Sequence, residues 1–182
     1  MKTAVIVIDV QQGLCEGPNA AFESQRVIER INEVTAKARA AGAPVIFVQH
    51  ESGPGYLEFQ SAAWQLAKSL HVEAGDLRLR KTTPDAFHRT ELQALLAAHG
   101  VEELIVCGMH SEFCVDTSSR RALALGFPVR LVGDAHTSEG NAALSAAQVI
   151  AHHNLTLANI SSFGPRVRVV AARDLVVGTD SA

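Results

Sequence analysis

The chain has 182 residues, of which 47% are hydrophobic and 19% are charged, and its formal net charge at pH 7 is −3. This length and composition predict one folded domain covering residues 1–182 rather than a disordered chain. The slightly acidic charge, with no block of lysine or arginine, argues against a nucleic-acid partner, and no apolar stretch approaches the ~20 residues of a membrane helix.

Strand-like and helix-like segments alternate along the chain. Residues 4–8 form an apolar run of strand length, and residues 22–41 carry hydrophobic side chains at helical spacing up to a stop at Gly42. The other predicted elements are a strand at 44–48, a short helix at 64–70, a strand at 77–80, a helix at 90–98, a strand at 104–107, a helix at 115–125, a strand at 129–132, a helix at 141–153 opened by an Asn141 cap, and a strand at 167–170. This order predicts an α/β fold: a doubly wound three-layer sandwich with a mainly parallel six-stranded sheet and helices on both faces.

Three chemically active side chains follow strands of this predicted sheet. Asp9 ends the first strand, Lys81 follows the third, and Cys114 lies where the fourth leads into a helix. Ligands of doubly wound sheets bind beyond the carboxyl ends of the strands, so an acid, an amine and a thiol are expected to meet in one crevice. The dipole of the following helix favours a Cys114 thiolate, and Asp9 can take the thiol proton. The simpler interpretations are a loop cap for Asp9, a solvated charge for Lys81 and a buried, inert Cys114.

Several segments together resemble the isochorismatase-like cysteine hydrolases, a family that includes nicotinamidases and N-carbamoylsarcosine amidohydrolases. They are Asp9-Val10-Gln11-Gln12-Gly13-Leu14, residues 75–81, Ala86-Phe87, and residues 108–115, continued by Gly133-Asp134-Ala135-His136. The resemblance implies a catalytic triad of Asp9, Lys81 and Cys114, and an oxyanion hole formed by the backbone amides of His110 and Cys114. It also implies a cis peptide bond between Met109 and His110, a thioester intermediate, and assembly as a homodimer or homotetramer.

The sequence departs from two branches of this family. Nicotinamidases bind a metal through an Asp-x-His pair after the second strand, whereas residues 48–52 here read Val-Gln-His-Glu-Ser. No metal or other cofactor is therefore expected, although His50 and His71 remain candidate ligands. Isochorismatases proper lack the nucleophilic cysteine that this chain has, so cleavage of an amide-type bond is favoured over vinyl-ether hydrolysis.

Further residues are assigned to a substrate pocket around the triad. They are Gln11, Leu14, Trp64, Phe87, Ser111 and Glu112. Core packing is an equal alternative to substrate stacking for Trp64. Glu112 has two interpretations of similar weight: favourable charge at a helix N-terminus, or a carboxylate that selects an amine-bearing substrate. His136 stands at a strand end from which it could reach the crevice.

The cysteine pattern predicts the compartment. Cys107 lies in an apolar strand and is expected to be inert, and Cys15 is expected to be exposed without a role. An odd number of cysteines without metal-like pairing, and an N-terminus that runs directly into a strand, predict a cytoplasmic protein without a signal peptide.

The sequence thus predicts a metal-independent cysteine hydrolase that cleaves a non-peptide C–N bond (amide, lactam or carbamoyl) of a small-molecule substrate. Two alternatives stay open: a non-catalytic ligand- or partner-binding domain of the same fold, and a metal-dependent nicotinamidase.

Overall fold

The computed structural model describes residues 1–178 and is built on one sheet of six parallel strands. The strands are β1 (Thr3–Ile8), β2 (Val45–His50), β3 (Leu77–Lys81), β4 (Glu103–Met109), β5 (Val129–Thr137) and β6 (Val167–Val170). Their order across the sheet is β3-β2-β1-β4-β5-β6. The predicted six-stranded, doubly wound sheet is confirmed.

Helices cover both faces of this sheet. They are α1 (Gln12–Cys15), α2 (Ser24–Ala40), α3 (Leu92–Ala98), α4 (Asp116–Ala124) and α5 (Ala146–Ala158), with a π-helical turn at Ser111–Val115 and a 3₁₀ turn at Ala172–Asp174. Alternate β1 side chains enter two separate cores: Val5 and Val7 pack with α2, and Ile6 packs with α3 and α4 on the opposite face. The three predicted layers are therefore present. Within residues 1–178, no helix combines the length and the apolar character needed to span a bilayer.

Two predicted helices are wrong in position or in kind. Residues 64–70 form turns rather than a helix, because Leu66 pairs with Gln11 and the Ala67 amide donates to the Val10 carbonyl at 2.9 Å. The helix predicted at 141–153 begins instead at Ala146. Its cap is Ser145, whose hydroxyl forms a capping box with Gln148.

The strand order places the switch point of the sheet between β1 and β4. Crossovers lead in opposite directions from these two central strands, which leaves a crevice above their carboxyl ends. Their close approach requires Gly108, which has a φ of +119° and whose added Cβ would lie 2.1 Å from the Ile8 carbonyl oxygen. The residues that follow β1 and β4 therefore face one another across the crevice.

Candidate active site

The Lys81 ammonium is the centre of a buried polar cluster at this crevice. Its side chain has 0% exposure, and Nζ donates to Asp9 Oδ2 at 2.7 Å and to the Thr83 carbonyl at 3.1 Å. Nζ also lies 3.1 Å from His50 Nδ1 and 3.2 Å from Cys114 Sγ. The three residues predicted from strand ends, Asp9, Lys81 and Cys114, are thus in mutual reach.

Strand register explains how these side chains meet. Lys81 ends β3 and pairs with His50, the last residue of β2, in the parallel ladder. Asp9 directly follows β1, where its amide donates to the Val48 carbonyl at 2.9 Å. Its φ of +53° lies in the left-handed region, which aspartate tolerates better than most residues. The side chains of Asp9, His50 and Lys81 therefore lie together because they stand at the ends of three adjacent strands.

Cys114 reaches the cluster from the π-helical turn that follows β4. The His110 carbonyl accepts from the amides of Phe113 at 3.1 Å and Val115 at 3.2 Å, and the Cys114 amide lies between these two in sequence. The peptide bond between Met109 and His110 is cis. Cys114 is partly exposed, unlike Cys107 in β4. Cys114 and His50 are therefore the partly exposed residues of the cluster, whereas Asp9 and Lys81 are buried.

The electrostatics of the cluster favour a neutral thiol at rest. Burial, followed by the Asp9 carboxylate, raises the pKa of Cys114 to about 12, while the Lys81 ammonium lowers it. Burial therefore opposes the resting thiolate that the sequence predicted for Cys114. Among the described residues, Asp9 Oδ1 is buried without a hydrogen-bond partner, so this oxygen is free to accept the thiol proton.

His50 is a member of the cluster that the sequence reasoning missed. It was considered only as a metal ligand, yet its Nδ1 lies against Lys81 Nζ. Burial, followed by the Lys81 charge, lowers the pKa of His50, so the neutral ring accepts a hydrogen bond from the ammonium. The sequence did offer one indication of this position: His50 follows the apolar residues of β2 and so lies at the same sheet edge as Lys81.

The cluster does not suit a divalent cation. Asp9, His50 and Cys114 bring one potential ligand atom each within 4.8 Å of one another. The Lys81 ammonium already contacts all three side chains, so a metal ion there would be repelled by an adjacent positive charge. His71 is exposed and belongs to no group of three potential ligands in residues 1–178.

Gln11 and Leu14 do not line the pocket predicted for them. The Gln11 side chain is completely buried, and its amide nitrogen donates to the carbonyls of His50 and Trp64, both at 2.9 Å. Its oxygen accepts from the His50 amide at 2.9 Å, so Gln11 joins strand ends instead of facing a ligand. Leu14 packs in the hydrophobic core beside α2.

The remaining predicted pocket residues are divided between core and cavities. Phe87 stacks on Phe127 with 6.3 Å between ring centroids and packs against the same hydrophobic core as Cys114. Ser111 is completely buried, with its hydroxyl 2.7 Å from His136 Nδ1. Trp64 is half-buried and lines a cavity of about 580 Å³ outside β3, which Lys81 also borders.

The expectation for Cys15 is wrong. Only 2% of its surface is exposed, and Sγ lies 3.7 Å from Met109 Sδ in the core. Burial raises its pKa to about 12, which makes it a hydrophobic core residue. Cys107 is fully buried as predicted, and burial raises the pKa of its thiol as well.

Glu112 borders a cavity of about 220 Å³ beside the π-helical turn that contains Cys114. The cavity is lined by Tyr56, His110, Glu112, Phe113, Glu139 and Gly140. Glu112 Oε1 accepts from the Ser138 hydroxyl at 2.6 Å, and Glu139 Oε1 lies 3.6 Å from His110 Nε2. In the part of the chain that is described, Glu112 Oε2 is buried without a partner. Two carboxylates thus give this cavity a negative charge.

Tyr56 also borders this cavity and lies near the charges of the polar cluster. Burial raises the pKa of its hydroxyl, and so do the nearby groups of Glu139, Asp9 and Cys114. Tyr56 therefore lies within electrostatic range of both the acidic cavity and the polar cluster. Sequence reasoning missed Tyr56 and Glu139 because both lie in loops without a hydrophobic period.

Comparisons with known proteins identify the family of this chain. A family model described as Isochorismatase domain matches residues 3–161. The chain is 43% identical over 138 residues to a streptothricin hydrolase from Streptomyces noursei, which covers 74% of this chain and 49% of that protein. It is 27% identical to a ureidoacrylate amidohydrolase from Methylobacterium radiotolerans, with 98% of this chain and 81% of that protein covered.

A solved structure supports the same assignment. The crystal structure of an isochorismatase family protein superposes with a TM-score of 0.84 at 35% identity, covering 93% of this chain and 98% of that one. The chain spans about half the length of the streptothricin hydrolases it matches. The matched family model covers most of the sequence and all three residues of the cluster, so the chain belongs to the isochorismatase family.

Proposed function

We propose that this protein is a cysteine amidohydrolase that cleaves a non-peptide C–N bond of a small molecule through a thioester intermediate. The observation that carries the proposal is the contact of one buried ammonium with both a carboxylate and a thiol, at 2.7 Å and 3.2 Å. Named relatives that hydrolyse streptothricin or ureidoacrylate support an amide, lactam or carbamoyl group as the target.

The proposed reaction begins with proton transfer from the thiol. Asp9 Oδ1 takes the Cys114 proton as the sulfur attacks the carbonyl carbon, and Lys81 stabilises the developing thiolate. The oxyanion of the tetrahedral intermediate accepts from the backbone amides of His110 and Cys114. Protonated Asp9 then gives its proton to the leaving nitrogen as the C–N bond breaks, which leaves a thioester.

The second half of the reaction regenerates the thiol. The Asp9 carboxylate takes a proton from a water molecule that attacks the thioester carbonyl. Collapse of this second intermediate releases the carboxylic acid product, and the proton held by Asp9 returns to the Cys114 sulfur. No step requires a metal ion, because Lys81 supplies the positive charge that the sulfur needs.

The acidic cavity narrows the class of substrate. Glu112 and Glu139 border the space beside the proposed oxyanion amides, so a substrate with an ammonium or guanidinium group near the scissile bond would meet opposite charge there. We therefore prefer the amine-selecting interpretation of Glu112 to that of a helix-end charge.

A hydrolysis screen tests the proposal. Purified protein is incubated with amides, lactams, ureides and nicotinamide, with and without a chelator, and products are followed by mass spectrometry and ammonia release. We expect turnover that Cys114→Ala abolishes and Cys15→Ala retains. Ligand binding without turnover would support the binding-domain alternative, and chelator-sensitive nicotinamide hydrolysis would support the nicotinamidase. Equal activity of Cys114→Ala and wild type would overturn the nucleophile assignment.

A further inference from the structure

A buried histidine holds the nucleophile-bearing turn from the neighbouring strand. The Ser111 hydroxyl lies 2.7 Å from His136 Nδ1, and the two residues have 0% and 1% exposure. Ser111 begins the π-helical turn, and His136 lies near the end of β5. This hydrogen bond therefore connects the turn to the sheet through two buried side chains.

The partners of His136 determine which of its nitrogens carries the proton. His136 Nε2 lies 2.9 Å from Asn154 Oδ1, and Asn154 Nδ2 donates to the Gly133 carbonyl at 3.0 Å. The Gly133 carbonyl can only accept, which orients the Asn154 amide and makes its oxygen face the imidazole. Nε2 therefore carries the hydrogen, and Nδ1 is left to accept from the Ser111 hydroxyl.

The local sequence makes room for this chain of hydrogen bonds. The pairing of β4 with β5 shifts register after Val106, so that His136 lies opposite Gly108 just before the turn. At Gly133, a Cβ would stand 3.2 Å from both polar atoms of the Asn154 amide and 2.6 Å from Val169 Cγ1. A side chain at residue 133 would thus compete for the space that Asn154 occupies.

Electrostatics keep the imidazole in the accepting form. Burial lowers the pKa of His136, which leaves it neutral near pH 7. The titratable groups that act on it are His153 on α5, Asp134 on β5 and Glu112 on the turn, and the neutral amide of Asn154 adds a hydrogen bond. A neutral ring with Nε2 protonated is the state that the Ser111 hydroxyl requires.

We propose that His136 is a positioning residue that acts through Ser111 to hold the peptide unit of His110 in place. Ser111 is the next residue after His110, whose amide is a proposed oxyanion donor, so fixing the Ser111 side chain limits movement of that amide. The inference rests on the proposed function of this turn. A catalytic group displaced by ~1 Å can reduce the rate about 100-fold, so such a hydrogen bond has a measurable effect.

Two pairs of substitutions separate positioning from general packing. In His136→Asn, the amide oxygen takes the place of Nδ1 and keeps the acceptor for Ser111, whereas His136→Gln keeps a donor for Asn154 and loses that acceptor. Ser111→Thr keeps the hydroxyl that Ser111→Ala removes. We expect His136→Gln and Ser111→Ala to lower kcat by about 10- to 100-fold with little change in KM, and their partners to stay within about threefold of wild type.

A second measurement does not depend on turnover. The Cys114 thiol adds across the C=O bond of a small aliphatic aldehyde to form a thiohemiacetal. The oxygen of this adduct is expected to occupy the oxyanion position. This adduct protects Cys114 from iodoacetamide. We expect Ser111→Ala and His136→Gln to need about tenfold more aldehyde for half protection, with the alkylation rate in its absence unchanged.

The outcomes distinguish the two proposals. A wild-type protein that hydrolyses nothing would contradict the proposed function, and the aldehyde measurement would still test the positioning. Equal losses in His136→Asn and His136→Gln, or losses that follow melting temperature alone, would overturn the role of His136. The role of His136 would also be overturned if Ser111→Ala needed the same aldehyde concentration as wild type for half protection of Cys114.

Discussion

The ammonium of Lys81 lies 3.2 Å from the sulfur of Cys114, in a site where the lysine side chain has no exposure to solvent. The carboxylate of Asp9 binds the same ammonium. With the thiol protonated, the three groups have no net charge, and transfer of its proton to Asp9 leaves that sum unchanged. A buried site can therefore form a nucleophilic sulfur without a change in its net charge, which a low-dielectric environment would oppose.

The pH dependence of alkylation follows from the raised thiol pKa. Because the pKa of Cys114 is raised to about 12, its thiolate fraction grows about tenfold per pH unit across the range 7–10. We expect the iodoacetamide rate to rise throughout that range, whereas a free thiol of pKa ~8.5 levels off. Peptide mass spectrometry measures the rate. If the alkylation rate of Cys114 levelled off below pH 8, its pKa would be low, and Cys114 would be the thiolate that the helix dipole was expected to stabilise.

Cys114 should also be the first cysteine to react. Cys15 and Cys107 are buried in the folded protein, with 2% and 0% exposure. Brief alkylation at neutral pH should add a label to Cys114 alone, and the same treatment in concentrated urea should label all three. Early modification of Cys15 without denaturant would contradict its place in the core.

Replacing Lys81 by methionine should affect stability as well as activity. The substitution leaves the Asp9 carboxylate buried without its cation, and breaking a buried pair in this way typically costs about 3–5 kcal/mol of unfolding free energy. Urea denaturation measures the loss. The matched control is Lys68→Met, where the side chain is 75% exposed and a change below about 0.5 kcal/mol is expected. Similar stability of the two variants would contradict the buried ion pair.

Asp9→Asn tests the proposed general base without changing its shape. The amide oxygen still accepts from Lys81, but the side chain can no longer take the thiol proton. Loss of a general base typically reduces the rate about 100- to 10,000-fold, so kcat should fall within that range while KM stays nearly constant. Asp174→Asn, at a side chain with 64% exposure, is the control. A variant with normal kcat would exclude Asp9 as the proton acceptor.

The predictable part of this protein depends on regular periods and strand ends. The apolar runs of β1, β2 and β4 specified a parallel sheet, and the ends of its strands were enough to indicate Asp9 and Lys81. The pairing of Lys81 with His50 depends on the register between two strands, which no local pattern reveals. The hydrogen bond from Ser111 to His136 depends similarly on a register shift in β5. Loop residues that border the acidic cavity, such as Tyr56, carry no periodic signal at all.

Glu112→Gln tests whether the acidic cavity selects a cationic substrate. Glutamine keeps the oxygen that accepts from the Ser138 hydroxyl at 2.6 Å but removes the negative charge of the carboxylate. A hydrogen bond to a charged group contributes roughly 1.5–3 kcal/mol, so KM for an amine-bearing amide should rise about 10- to 100-fold. KM for an uncharged substrate of the same shape should barely change, and Glu102→Gln, at an exposed residue, should alter neither. Steady-state kinetics on the two substrates gives the comparison. An equal rise for both would mean that Glu112 supports the turn through Ser138 and does not read substrate charge.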